Sequence, residues 1–294
     1  MTTTLERPPT TTAMAAARQS RARTIVCAAV LGLLLTSVAI GGYWQATGGR
    51  WYVVRTPSMG AAAPVGTLLW VKPVDFATLH VGDFISFKPP GSSVTYSHRI
   101  AAVAADGTLR TKGDANSIPD AWRLTSANVV GQVEARWWGA GWLIRAAPVL
   151  IVGGFLLWLT IVKLTPSRWH LPLAVVGVSV ILSAAIFVFR PLVSAERTAL
   201  TPTSNGVTAT CVSTGLLPLR LHAVGGGSVD LRDGQSGSVS SGEAARGRFS
   251  VTLAPKIIWW WWLVLVFVCF APAIGSAVRT ARRAPLGRHR AAVA

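Results

Sequence analysis

The strongest constraint on the fold of this 294-residue chain is a set of four long apolar runs. Each has a central stretch without Asp, Glu, Lys or Arg, which are costly at the centre of a bilayer. A helix needs about 20 residues to cross a hydrocarbon core of about 30 Å. We therefore predict four transmembrane helices, at residues 25–44, 143–164 (charge-free over 146–162), 171–189 and 257–278.

The charge distribution predicts the orientation of these helices. The chain is 51% hydrophobic and only 13% charged, whereas soluble domains are about 25% charged. A net charge of +17 would suggest nucleic acid as a partner if the chain were soluble. Here +10 of it lies in the tail 1–24, in residues 163–170, which contain the short link 165–170, and in the Arg-rich tail 279–294. Because cytoplasmic segments carry an excess of Lys and Arg, we predict a multi-pass plasma-membrane protein with these pieces inside and no nucleic-acid partner.

The two long segments, 45–142 and 190–256, are then both extracytoplasmic. Tryptophan prefers the membrane–water interface, and nine of the 13 Trp residues lie at the ends of the spans that face these segments. The first apolar run also resembles a cleaved signal peptide, since arginines precede it. It is longer than the usual signal core of 7–15 residues, so we interpret it as an uncleaved anchor.

Segment 45–142 is predicted to be a small all-β domain. It lacks long helical periodicity, and prolines and glycines divide it into short apolar runs. The strand-like runs are Trp51–Arg55, Thr67–Lys72, Asp83–Lys88, Val94–Ala104, Thr108–Lys112 and Val129–Trp137.

This domain also holds the residue types of a serine hydrolase. Ser58 follows a strand-like run, and His98 lies in another, with Asp114 and Asp120 after it. A nucleophilic Ser needs a base within hydrogen-bonding reach, and that base needs an orienting acid. The sequence supplies these types without showing that they meet.

Four motifs follow one another along the domain: Ser58-Met59, Gly82-Asp83-Phe84-Ile85-Ser86-Phe87, His98-Arg99-Ile100, and Thr111-Lys112-Gly113-Asp114-Ala115-Asn116 with Asp120. In this order, residues 25–137 resemble the type I signal peptidases. The resemblance is to the endoplasmic-reticulum and archaeal type, also found in Gram-positive bacteria, in which a His replaces the Lys base. It implies a signal-peptidase-like β fold and a membrane-bound serine endopeptidase, a hydrolase that processes signal peptides during protein secretion.

The resemblance also implies a role for each matching residue. Ser58 matches the nucleophile, and His98 matches the general base that later protonates the leaving amine. Asp120 matches the carboxylate that orients the His, and Asp114 a second important carboxylate; we expect Asp120 to be the direct partner. Thr56, with the Ser58 N–H, is expected to form the oxyanion hole.

Lys112 is an alternative base, because other members of the family pair Ser with Lys. A Lys base must be neutral, which requires burial that lowers its pKa. Lys112 instead lies close to Asp114, which favours the charged form. A His has an unperturbed pKa near 6.5 and needs little tuning at neutral pH, so His98 is the predicted base.

The chain departs from the family pattern after the nucleophile. Ala61 stands where a Pro is usual and Thr67 where an Asp is usual, although Gly66 is kept. These departures raise the chance of a narrowed substrate choice or of a lost activity. The alternative function is therefore a catalytically inactive, signal-peptidase-like envelope scaffold that binds partners. A small transporter is a third interpretation, but the predicted spans of this chain lack the intramembrane charges that mark ion paths.

By resemblance, the partners are the signal peptides of secretory precursors, the lipid bilayer and the secretion translocon. We expect the substrate to add as a strand beside 51–55 and 83–88, with small residues at the first and third positions before the cut. No cofactor or metal is expected, since the sequence has no Cys-x-x-Cys or His-Glu-x-x-His motif.

Segment 190–256 is rich in Gly, Ser and Thr and is interpreted as a small β-rich module or a partly ordered loop. Its strand-like pieces are Gly206–Val212, Leu217–Ala223 and Phe249–Leu253. We expect a structural or partner-binding role for it. Cys211 is predicted to be a free thiol.

Overall fold

The computed structural model describes residues 11–203, 206–241, 250–256 and 259–281. These residues form three β-sheets and four α-helices. The first helix, α1 (Thr11–Ala46), belongs to one compact unit, and the elements that follow β1 belong to a second. The predicted combination of a mostly-β part with long apolar helices is confirmed at this level.

Segment 45–142 folds into one six-stranded sheet. Each of its six strands coincides with a predicted run to within two residues, because Gly and Pro end the runs where the chain turns. The strand order is β1-β2-β6-β3-β4-β5. The strands are β1 (Arg50–Val53), β2 (Leu68–Lys72), β3 (Phe84–Phe87), β4 (Tyr96–Val103), β5 (Leu109–Lys112) and β6 (Val129–Trp137).

The sheet is covered on both faces. Successive strand residues point to opposite faces, and on β3 Phe84 and Ile85 belong to different core clusters. Phe84 packs with Met59, Leu69 and Val71. The other cluster contains Leu79, Ile85, Phe87, Ile100, Leu109 and Leu124. The short segment after β1, which contains Met59, is therefore part of one of these cores.

Two helices follow the sheet. The first, α2 (Ala140–Leu159), continues through one π-helical turn to Leu164, and α3 (His170–Phe189) packs beside it. The helical stretches Ala140–Leu164 and Ser167–Phe189 are each long and apolar enough to cross a membrane. Almost none of their apolar residues is buried.

The other two predicted spans are helical as well. The run 25–44 lies in α1, and the fourth run lies in α4 (Trp259–Ala281), apart from residues 257–258, which are outside the described residues. The apolar part of α4, Trp259–Ala271, is shorter than a full span. Length and composition thus support two of the four predicted spans. The other two spans, and the orientation of all four, remain predictions.

The described residues of 190–256 form a β-rich module, in agreement with the first of the two interpretations of this segment. Two three-stranded sheets have the orders β11-β8-β7 and β10-β9-β12. Their strands are β7 (Ala195–Thr203), β8 (Gly206–Ser213), β9 (Leu219–Ala223), β10 (Ser228–Leu231), β11 (Ser236–Ser241) and β12 (Val251–Pro255). Residue 249, the start of the predicted last strand, lies outside the described residues.

A core shared by both sheets explains why this Gly- and Ser-rich segment folds. Leu219, Leu221 and Leu231 from one sheet are fully buried with Ala209 and Val239 from the other. The alternation of apolar and polar residues on β9 directs its leucines into this core. Cys211 is buried here as a free thiol, and burial raises its pKa.

Candidate active site

Ser58 is presented by a short 3₁₀ turn, Pro57–Ala62, that follows β1. Proline suits the first position of a helical turn because its φ is already fixed near the helical value. Met59, the next residue, is 1% exposed, and burying such a side chain stabilises its position by about 1.5–3 kcal/mol. The buried Met59 therefore anchors the backbone on which the half-exposed Ser58 is carried.

His98 lies on β4 with its ring between Ser58 and Asp120. Its Nε2 is 2.9 Å from Ser58 Oγ, and its Nδ1 is 2.7 Å from Asp120 Oδ2. The His98 and Asp120 side chains are only 6% and 7% exposed. Because a carboxylate only accepts hydrogen bonds, Nδ1–H donates to Asp120 and Nε2 accepts from the Ser58 hydroxyl.

Two further side chains hold the Asp120 carboxylate. The Thr111 hydroxyl donates to Asp120 Oδ2 at 2.6 Å, and Trp122 Nε1–H donates to the Thr111 hydroxyl at 3.2 Å. The Asp120 N–H also donates to the Thr111 carbonyl at 2.8 Å. Sequence reasoning missed Thr111 and Trp122 as site residues. The alternation of residues on β5 could have identified Thr111, because it places the Thr111 side chain on the buried face directly before the Lys-Gly-Asp motif.

Aromatic rings restrict the histidine. The centroids of Phe87 and Tyr96 lie 6.2 and 6.3 Å from that of His98, each in an edge-on arrangement. Trp122 packs against both of them, 5.2 Å from Tyr96 and 6.0 Å from Phe87. The imidazole is thus packed among aromatic rings while both of its nitrogens are hydrogen-bonded.

Asp114 makes a different contact from Asp120. It forms a two-point ion pair with Arg99, with N–O distances of 3.0 and 2.8 Å. The hydrogen bond to Asp114 is the main cause that raises the pKa of the Arg99 guanidinium. His98 and Arg99 are neighbours on one strand and point to opposite faces, so His98 pairs with Asp120 and Arg99 with Asp114. Among the described contacts, none joins Lys112 to Ser58.

The predicted oxyanion donors lie at the start of the 3₁₀ turn. Ser58 is the second residue of that turn, and the first N–H groups of a helical turn have no acceptor within it. Thr56 is extended and makes no side-chain cap to the turn, and its side chain lines the same cleft as Ser58. Both groups are therefore available to an oxygen that is bound beside Ser58.

A cleft of about 660 Å³ opens in front of Ser58 and His98. One wall is Trp51–Arg55, which includes most of β1, the edge strand of the sheet. The other is Val94–His98, and Arg145 lines the cleft as well. Within the described strands, Tyr96–His98 pair only with β3, so their other edge is free.

The position of β3 contradicts one expectation about the substrate. The family resemblance implies that residues 83–88 flank the substrate together with 51–55. The strand β3, however, pairs with β4 on one side and with β6 on the other, so it has no free edge for a peptide. The free edges that face the cleft belong to β1 and to the beginning of β4.

The arrangement contains the parts needed for acyl transfer: a hydroxyl, an imidazole, a carboxylate and two candidate oxyanion donors, the Ser58 N–H and the Thr56 hydroxyl, beside a cleft. In the described part of the chain, no three His, Cys, Asp or Glu side chains are placed to hold a metal ion. The chain matches no protein-family model and no curated protein sequence. Its geometry and its sequence motifs are therefore what a functional assignment is built on.

Proposed function

We propose that this protein is a membrane-bound serine endopeptidase that removes signal peptides from exported precursors. The observation that carries the proposal is the hydrogen-bonded series Ser58–His98–Asp120 at the edge of an open cleft. These three residues are 22 and 40 positions apart in the sequence, yet each adjacent pair lies within 3 Å. The signal-peptidase-like motifs supply the substrate class.

In the proposed mechanism, Ser58 Oγ attacks the scissile carbonyl while its proton passes to His98 Nε2. The Asp120 carboxylate stabilises the imidazolium, and the Ser58 N–H and the Thr56 hydroxyl stabilise the oxyanion. Collapse of the tetrahedral intermediate breaks the C–N bond, and His98 gives its proton to the leaving amine. Water, deprotonated by His98, then hydrolyses the Ser58 ester and releases the signal peptide.

The substrate is proposed to enter the cleft as an extended strand. Edge strands offer unpaired N–H and C=O groups to a peptide, and β1 and the start of β4 provide two such edges. A peptide between them has its scissile bond beside Ser58, in the turn that follows β1. The resemblance implies small residues at the first and third positions before the cut, because larger side chains would clash in shallow pockets.

The proposed setting is a four-span plasma-membrane protein with its sheet domain and its second module outside the cell. The exposed apolar surfaces of α2 and α3 support membrane insertion. The Arg-rich ends of the chain support the cytoplasmic position of both tails. A site at the outer membrane face meets a signal peptide where its apolar core ends.

The proposal is tested with the purified full-length protein in lipid vesicles and a labelled secretory precursor. We expect cleavage at one site, and a loss of about 10⁶-fold in kcat for Ser58→Ala. Ser126→Ala, which changes an exposed serine outside the cleft, is the matched control and should cleave normally. Equal cleavage by wild type and Ser58→Ala, or no cleavage by either, would favour the non-catalytic scaffold.

A further inference from the structure

A turn of the second module touches the segment that carries the nucleophile. The turn, residues 232–235, joins β10 to β11, and the segment is 58–62. A Cβ placed on Gly234 would lie 2.6 Å from the Gly60 carbonyl oxygen and 2.7 Å from Ala61 Cα. Backbone therefore meets backbone here, and only a glycine at position 234 fits against the segment.

The turn is fixed within its own module. Gly234 N–H donates to the Ser213 carbonyl, and Ser213 N–H donates to the Gln235 carbonyl, both at 3.0 Å. Arg232 N–H donates to the Gln235 side chain at 3.1 Å. Gly234 has a φ of +72°, a conformation open to glycine at little cost. The turn is thus a rigid projection of the module.

One side chain docks this turn onto the sheet domain. Trp138, at the junction of β6 and α2, donates its indole N–H to Asp233 Oδ2 at 2.7 Å. Sequence reasoning placed this tryptophan at the membrane interface; the structure gives its N–H a partner in the second module. Asp233 Oδ1 is buried and has no partner among the described residues, so the docking holds this carboxylate at a cost in free energy.

The nucleophile segment needs support because its own sequence is permissive. Gly60 has a φ of +52° and is followed by Ala61 and Ala62, whose small side chains restrict the backbone little. Other contacts hold the segment from the sheet side. Ala115 N–H donates to the Ser58 carbonyl, and Arg136 donates to the Ala62 carbonyl, both at 2.8 Å. The turn 232–235 adds a contact from the second module.

We propose that the turn 232–235 is a positioning element for the Ser58 nucleophile, an inference that rests on the proposed function. Gly60 directly follows Met59, the buried anchor of the Ser58 backbone, so a displacement of Gly60 shifts this anchor and with it the hydroxyl. A misplacement of about 1 Å can cost about 100-fold in rate. The cleft walls, 51–55 and 94–98, do not include the turn. Turnover therefore depends on the second module, whereas substrate binding does not.

The test is Gly234→Ala in the full-length protein in lipid vesicles, with the labelled precursor. The added Cβ meets backbone of the nucleophile segment, so kcat should fall by about 10- to 100-fold while KM changes by less than about twofold. The control is Gly225→Ala. Gly225 has a φ of +69°, so the backbone strain is matched, but it lies in the β9–β10 turn at the opposite end of β10.

A second variant keeps the test decisive if Gly234→Ala fails to fold. Trp138→Phe removes the N–H donated to Asp233 and keeps an aromatic ring, and it should lower kcat in the same direction by a smaller factor. Trp169→Phe, an exposed tryptophan in the link before α3, is its control.

Equal kcat values in each variant and its control would overturn the inference, as would a rise in KM at unchanged kcat. Both outcomes leave Ser58-dependent cleavage by the wild type intact. Failure of the proposed function is a different result, in which the wild type itself shows no cleavage that depends on Ser58.

Discussion

Replacing Asp120 by Asn tests the electrostatic role of the acid at almost constant shape. The Asn oxygen can still accept from His98 Nδ1–H and from the Thr111 hydroxyl, so only the charge is lost. In the wild type, His98 Nδ1 lies 2.7 Å from Asp120 Oδ2, so the centres of the imidazolium and carboxylate charges are about 4 Å apart. At an effective dielectric constant of about 20, a pair of unit charges at that distance interacts by about 4 kcal/mol.

That energy is present only when His98 becomes an imidazolium, so it acts on the transition state rather than on substrate binding. Since 1.36 kcal/mol corresponds to tenfold in rate, we expect kcat to fall by about 10³-fold with little change in KM. The assay is precursor cleavage by the vesicle-bound protein under saturating substrate. Thermal unfolding of the variant checks that the sheet domain is intact.

Asp114→Asn is the matched control, because it removes a carboxylate from a neighbouring loop. Asp114 pairs with the partly exposed Arg99, and such pairs contribute about 0–1 kcal/mol to stability. Its kcat should therefore fall far less than that of Asp120→Asn. A larger loss in Asp114→Asn, or a kcat within a few fold of wild type in Asp120→Asn, would refute the assignment of Asp120 as the partner of His98.

Three further predictions concern the supports of the site and the second module. Thr111→Val removes the donor to Asp120, a charge-assisted bond of about 1.5–3 kcal/mol, and kinetic assays should show kcat reduced by about 10- to 100-fold. Burial raises the pKa of Asp233 from 3.8 to about 6, so the stability of the folded state falls as the pH rises from about 4 to 6. Asp233→Asn should therefore raise Tm at pH 7.5 and leave it unchanged at pH 4. Equal shifts of Tm at both pH values would contradict this. Leu221→Ala in the second core should cost about 2–5 kcal/mol, measured by denaturant unfolding; a smaller loss would show that this core is loosely packed.

The sheet domain was largely predictable from sequence because its turns are strongly marked. Glycines and prolines divide 45–142 into short apolar runs, and all six runs are strands. In the second module the strands β7, β10 and β11 were missed. The strands β10 and β11 are polar on their exposed faces, as in Ser236–Ser241, and few of their residues are buried in the core. The strand β7 is exposed along almost its whole length, so it has no alternation of buried and exposed residues to detect.

The residues alone supplied the types needed for the site, and the family resemblance added a role for each, with Asp120 expected as the partner of His98. Asp120 contacts His98 and Asp114 contacts Arg99, and these two neighbours on β4 point to opposite faces of the sheet. Which acid meets which neighbour depends on the register of β4 with β5, where Arg99 pairs with Lys112. The contact of Gly234 with Gly60 joins positions far apart in the sequence, and no local pattern marks it. Long-range packing of this kind supplies the part of the site that sequence reasoning left out.

The central claim is that Ser58 cleaves signal peptides, and the N-termini of secreted proteins test it most directly. Cells that produce only Ser58→Ala are compared by mass spectrometry with cells that produce the wild type at equal level. We predict that a set of exported proteins retains its signal peptides in the variant and begins at a single mature residue in the wild type. Identical N-termini in both strains would contradict the account.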